Sequence, residues 1–163
     1  MPSLKIRKNN IFFTLLVLTS IFLLDRISKF LIIKKVKELG STEIFSSKFI
    51  NFELIWNKGI AFGLLSFNHN MIYQLITLVI VLVVMILFFF IFKSESYERL
   101  GFILITGGAL GNLYDRLTYK AVPDFIDLHI DNLHWFIFNI ADIFITIGII
   151  CLILVEIFIK RKA

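Results

Sequence analysis

Five aspartates, Asp115, Asp124, Asp127, Asp131 and Asp142, fall between Gly107 and Asp142, together with Arg116, His129 and His134, in a chain that is 58% hydrophobic. Carboxylates can activate water without help from a metal, a serine or a thiol. Two of them held close at a partly dry site cannot both ionise easily, so one keeps a proton while the other serves as base. Such a pair can deprotonate a water molecule and protonate a departing amide nitrogen. Competing chemistries are poorly supplied. No Ser sits in a recognisable nucleophile elbow, no H-E-x-x-H occurs, and the single Cys151 lies in the last apolar run, away from the cluster. Asp124, Asp127, His129, Asp131 and His134 would offer oxygen and nitrogen ligands, but their spacing matches no zinc or calcium loop and their segment reads as a solvated excursion. The expectation is therefore no metal and no cofactor. An ion or proton pathway also uses intramembrane carboxylates. Here they gather toward one side and leave the middle of the second and fourth apolar runs without a relay.

The elements that must position these residues are membrane spans. A chain of 163 residues with 19 Phe and a mean hydropathy of +0.89 is one domain and too apolar for an ordinary soluble core. A lone cysteine excludes an intramolecular disulfide. The net charge of +5 sits mainly in the tails and short loops, which points to a membrane surface as the partner and not to nucleic acid. The first span is predicted over 11–33, uncleaved, with Asp25, Arg26 and Lys29 interrupting its far end. Asp25 and Lys29 stand i,i+4, which fits either a helix-surface ion pair with a snorkelling Lys29 or a buried polar site.

An excursion over 34–70 follows, in which Ile50 to Trp56 alternates as a short half-exposed strand does. It closes on Asn57 to Gly63, where Asn57 suits a turn as well as a site. The second span, over 71–92, carries no charge. The third, over 100–117, contains Gly107, Gly108 and Gly111, whose small size lets backbones approach closely. Asn112, Asp115 and Arg116 follow, and the adjacent Asp115 and Arg116 point different ways and need separate partners. After a second excursion over 118–135, the fourth span runs over 136–159 with Asn139 and Asp142 on one helix face. Near its end, Glu156 and Lys160 read as a surface pair.

The expected fold is thus an all-α membrane protein, a single domain over 1–163, with four transmembrane helices and a small extracytoplasmic cap containing β structure. Helix count alone brings Asp25, Asn57, Asn112, Asp115, Arg116, Asn139 and Asp142 to the same side. Lys5, Arg7, Lys8, Lys93, Arg99, Lys160, Arg161 and Lys162 narrowly favour cytoplasmic termini over the six lysines of the excursions. The polar cluster would then face outward.

Three blocks, GGALGNLYDR (107–116), VPDFID (122–127) and FNIAD (138–142), together with Asp25 and Lys29 and with NKGIAFG (57–63), resemble the motifs of bacterial lipoprotein signal peptidase, also called signal peptidase II. The resemblance covers essentially the whole chain, five motifs in order. It implies an aspartic endopeptidase of the bacterial cytoplasmic membrane, acting on prolipoproteins just before a diacylglyceryl-modified cysteine. Matched motif by motif, it implies a catalytic dyad of Asp124 and Asp142. Asn57, Asn112, Arg116 and Asn139 would support the dyad or the substrate, and Asp25, Lys29 and Asp115 would give structural polar support. The implied partners are the lipidated precursor and membrane lipids, with the enzyme a monomer. Trp56 and Trp135 would suit interface anchoring or ordinary packing. Two departures are visible: Arg26 stands where Gln is usual, and Pro123 precedes Asp124, removing an amide donor and favouring an extended approach.

Overall fold

The computed structural model describes residues 8–59, 70–94, 96–131 and 133–158. The elements follow in the order α1 (Lys8–Leu39), β1 (Glu43–Ser46), β2 (Ile50–Asn57), α2 (Asn70–Lys93), α3 (Ser96–Tyr119), β3 (Val122–Ile130), β4 (Leu133–Phe138) and α4 (Ile140–Phe158). Helix α3 is the hub, packing against α1, α2 and α4. Its small residues explain why. A Cβ on Gly107 would run into Ile21 of α1, and one on Gly148 of α4 would come 2.7 Å from the Gly101 carbonyl oxygen. Around Leu18, Ile91 and Ile103 the helices bury a small apolar cluster. The outward faces stay apolar: Phe12 is 71% exposed and Phe89 61%. An apolar exterior of this extent is stable where lipid is the solvent. The first, second and fourth helices are long and apolar enough to cross a membrane.

Three boundaries differ from expectation by four residues or more, the earliest turn of α3 among them, since it begins at Ser96 and not at 100. Helix α1 continues to Leu39, because nothing between 33 and 39 breaks it, and it ends at Gly40. That glycine takes the left-handed conformation (φ 68) and donates its N–H to the Val36 carbonyl at 2.9 Å. The fourth helix starts at Ile140, four residues later than predicted, since the apolar run Phe136 to Phe138 belongs to a strand. The motif 60–63 lies outside the described residues.

The expected cap is larger than a single strand. Both excursions join in one antiparallel sheet, order β1-β2-β3-β4, so the class is mostly helical with a small sheet. The segment expected to be a solvated connection is a β3–β4 hairpin that turns at Asp131 (φ 51). Central β3 pairs with β2 on one side, through Asp124 opposite Ile55 and Asp127 opposite Asn51, and with β4 on the other. Asp127, expected as a loop residue, is consequently 2% exposed. Pro123 is tolerated at the second position of β3, opposite Trp56.

Candidate active site

Asp124 is carried by β3 and is 3% exposed. It accepts hydrogen bonds from Asn57 Nδ2 at the end of β2 (2.9 Å to Oδ2) and from Asn139 Nδ2 (2.6 Å to Oδ1). Asp142 sits in the first turn of α4 and accepts from Asn112 Nδ2 of α3 (2.8 Å to Oδ1) and from the backbone N–H of Asn139 (3.2 Å to Oδ2).

The amide orientations follow from what holds the other end of each side chain. Asn57 Oδ1 accepts the Gly59 N–H at 2.8 Å, Asn139 Oδ1 accepts the Asp142 N–H at 3.2 Å, and Asn112 Oδ1 accepts from Lys29 Nζ at 2.8 Å. With each oxygen committed to a group that only donates, each NH₂ must turn to a carboxylate. Three asparagines therefore aim donors at two acids.

Asn139 and Asp142 form a reciprocal capping box. The Asn139 side chain takes the Asp142 N–H while the Asp142 carboxylate takes the Asn139 N–H. Asn139 thus lies just before the helix as its N-cap, not within the first turns of a span as the sequence suggested. Asp142 at the N-terminus of α4 also meets the positive end of the helix dipole.

Beside the pair lies an ion quartet, buried at Asp25, Lys29 and Asp115 and partly exposed at Arg26. Lys29, 1% exposed, reaches Asp25 Oδ1 at 2.9 Å and Asp115 Oδ2 at 2.6 Å. Arg26 reaches Asp25 Oδ2 at 2.6 Å and grips Asp115 at 2.5 and 2.7 Å. Lys29 does not snorkel to a surface, and the i,i+4 pairing with Asp25 is only half of its engagement. Two cations balance two carboxylates, which is what permits such burial. Asp25 does a further job, accepting the Ala141 N–H at 3.1 Å at the start of α4. Gly111 makes room for it, since a Cβ there would stand 2.5 Å from Asp25 Oδ2.

Asp115 and Arg116 do part company as their adjacency implied. Arg116 donates from Nη2 to the Gly59 carbonyl (2.7 Å) and from Nη1 to that of Asn112 (3.4 Å), and Tyr73 of α2 donates to the Arg116 carbonyl at 3.0 Å. Trp56 packs edge-on to Tyr119 at 5.5 Å between centroids, and Trp135 is 78% exposed. Arg26 is the site residue that sequence reasoning noted as a charge interrupting the first span and as a departure, without giving it a role. Its position next to Asp25 and three before Lys29 places all three in neighbouring turns, which was the available signal.

Asn57, Asn112, Arg116, Asp124 and Asp142 all line one cavity of about 220 Å³. Its remaining wall is aliphatic, from Ile80, Val83, Val84 and Leu87 of α2, Ile105 and Ala109 of α3, and Ile145 of α4. Burial first, and then the carboxylate of Asp142, push the Asp124 carboxyl up to about 6, against the opposing pull of Asn57, Asn139 and the Lys29 charge. A carboxyl so placed can carry a proton near neutrality and release it, which is the requirement for acid–base work.

Apolar-faced helices around two asparagine-held carboxylates that line one cavity define a helical membrane protein with a polar site within it. The family model of signal peptidase (SPase) II matches residues 17–158. A lipoprotein signal peptidase of Pelagibacter ubique is 49% identical over 158 residues, covering 97% of this chain and 95% of that protein. One of Aquifex aeolicus is 45% identical over 144 residues, covering 86% and 83%. Among solved structures, a bacterial membrane enzyme superposes with a TM-score of 0.73 at 28% identity, over 92% of this chain and 89% of that one. The chain belongs to the signal peptidase II family, and is accordingly an aspartic endopeptidase of a bacterial membrane.

Proposed function

We propose that Asp124 and Asp142 are the catalytic dyad with which this enzyme cuts signal peptides from prolipoproteins, immediately before the diacylglyceryl-modified cysteine. The observation that carries this reading is the shared cavity. The buried carboxylate of Asp124 and the half-buried one of Asp142, from different elements, both line it, and much of the rest of its wall is aliphatic, as a substrate with lipid next to the scissile bond requires. One carboxylate takes a proton from water, which attacks the scissile carbonyl. The protonated partner hydrogen-bonds the carbonyl oxygen and then supplies a proton to the departing amide nitrogen, freeing the amino group of the lipidated cysteine. Asn57, Asn112 and Asn139 hold the two acids at fixed positions before substrate arrives. Arg116, on the cavity wall, is suited to receive peptide or lipid carbonyls.

In this reading all four helices cross the membrane, α3 included. Its Asp115 and Arg116 are buried within the protein, so lipid does not meet them. Both termini are cytoplasmic, the sheet lies on the outer side with the active site just beneath it, and the enzyme works as a monomer whose cleavage step uses no cofactor. The test is cleavage of a purified diacylglyceryl-modified precursor. Asp124→Asn and Asp142→Asn are each expected to lose about 10²- to 10⁴-fold or more of the activity while keeping the elution volume and melting behaviour of the parent in detergent. Near-full processing by either folded variant would remove that residue from the dyad.

A further inference from the structure

A second cluster of ligand-bearing side chains lies in the sheet, apart from the residues that line the active-site cavity. Asp127 and His129 of β3 and His134 of β4 bring one carboxylate oxygen and two imidazole nitrogens to within 4.8 Å of one another. Cross-strand register does this: His129 stands directly opposite His134, and their rings stack at 5.0 Å and 21°. The pairing shifts register between Asp127 and His129. Such a bulge re-aims side chains and lets the carboxylate join the two rings. His134 Nδ1 lies 2.8 Å from Asp127 Oδ2, and His129 Nδ1 lies 3.8 Å from the same oxygen.

The cluster is not satisfied as it stands. The Asp127 side chain is 3% exposed and that of His129 is 9% exposed, yet Asp127 Oδ1 and His129 Nδ1 have no hydrogen-bond partner. Among the described residues no Lys or Arg pairs with Asp127. Its contacts are the two imidazoles and Asn51 Nδ2, which donates at 3.3 Å. A buried carboxylate without a compensating cation is costly.

We propose that Asp127, His129 and His134 bind a divalent d-block cation, Zn²⁺ being the fitting probe. Tetrahedral Zn²⁺ with ligand bonds of about 2.0–2.1 Å spaces its donors about 3.3–3.4 Å apart. The two separations from the Asp127 oxygen, 2.8 and 3.8 Å, bracket that value, and all three donors lie within 4.8 Å, so rotation of the rings toward a common centre would complete the site. Asn51 would orient the ligating carboxylate from outside, as second partners of metal ligands do. His134, with its side chain 54% exposed, leaves the fourth position to solvent and gives the ion its way in. The ion would neutralise Asp127 and clamp β4 to β3, the hairpin that carries Asp124 near one end and runs into Asn139 at the other. Spacing along the chain did not match a metal loop because the ligands are brought together by register across two strands.

The test uses the untagged full-length protein in detergent, stripped with chelator and titrated with Co²⁺ and then Zn²⁺. Expected are the intense visible bands of four-coordinate Co²⁺ at one equivalent, their loss on adding Zn²⁺, and a rise in thermal midpoint with Zn²⁺. His134→Ala, at an exposed position, His129→Phe, which keeps a stacked ring, and Asp127→Asn should each abolish the bands and the rise. Absence of stoichiometric binding, a pale six-coordinate spectrum, or binding that survives His134→Ala and His129→Phe would each overturn the proposal and leave a hydrogen-bonded histidine pair only.

Discussion

At the scale of single residues, the functional reading turns on how one protonated and one ionised carboxyl are maintained side by side. Asp124 is raised from 3.8 to about 6, with burial as the first cause. A dyad sharing one proton loses its acid form as pH climbs past that value, so kcat/KM should fall on an alkaline limb beginning near pH 6. Bound peptide displaces water from the cavity and strengthens the burial effect, placing the corresponding limb of kcat higher. The hydrogen bond from Asn57 favours the ionised form of Asp124. Asn57→Ala should therefore move the kcat/KM limb to higher pH while lowering the maximal rate. A limb that stays in place or moves to lower pH would disconnect Asp124 from the titrating step. Much at this scale was legible without coordinates. The spacing of Asp25 and Lys29 announced their pairing, and the adjacency of Asp115 and Arg116 announced their separation. Arg26 was harder to read, because its two carboxylate partners lie on different helices and only packing shows that both need a second cation.

At the scale of elements, the dyad and the asparagines that hold Asp124 sit at ends: the end of β2, the third position of β3, and the start of α4. The FNIAD run contains the Asn-x-x-Asp pattern of a capping box, so the true start of α4 was available in the sequence. It was masked by Phe136, Ile137 and Phe138, which extend the apolar run upstream although they pair in a sheet. Strand pairing is nonlocal, and for the same reason Asp127 read as a loop residue. Asn139 serves two elements at once, ending β4's connection with a helix cap and holding Asp124. The two duties separate by mutation. Asn139→Ser keeps an oxygen for the Asp142 N–H but cannot reach Asp124. Its melting temperature should match the parent, while activity falls about 10- to 100-fold, the value of a hydrogen bond to a charged group. Asn139→Ala should lose the activity and also about 1 kcal/mol of stability. Equal melting temperatures for the two variants would show that the cap contributes little.

At the scale of the whole molecule, an apolar shell surrounds α3, the polar quartet welds α1 to α3, and the sheet covers one end. Helix number predicted that the polar residues converge, and the apolar runs predicted the scaffold. How a four-stranded sheet is assembled from two segments more than 60 residues apart was beyond any local pattern, as the separation of 67 between Asn57 and Asp124 illustrates. In the proposed orientation the sheet and the α2–α3 loop are on opposite sides. In a Cys151→Ala background, Lys48→Cys should react in whole spheroplasts with a membrane-impermeant thiol reagent, and Lys93→Cys only after lysis. The reverse pattern would invert the topology. The contact between Asp25 and the Ala141 N–H spans 116 residues of chain. At about 5–20 residues per second of synthesis, roughly 6 to 23 seconds separate the arrival of the two partners. Throughout that interval the nascent chain lacks Asp142 and cannot form the proposed dyad, so an unfinished polypeptide cannot act as a protease.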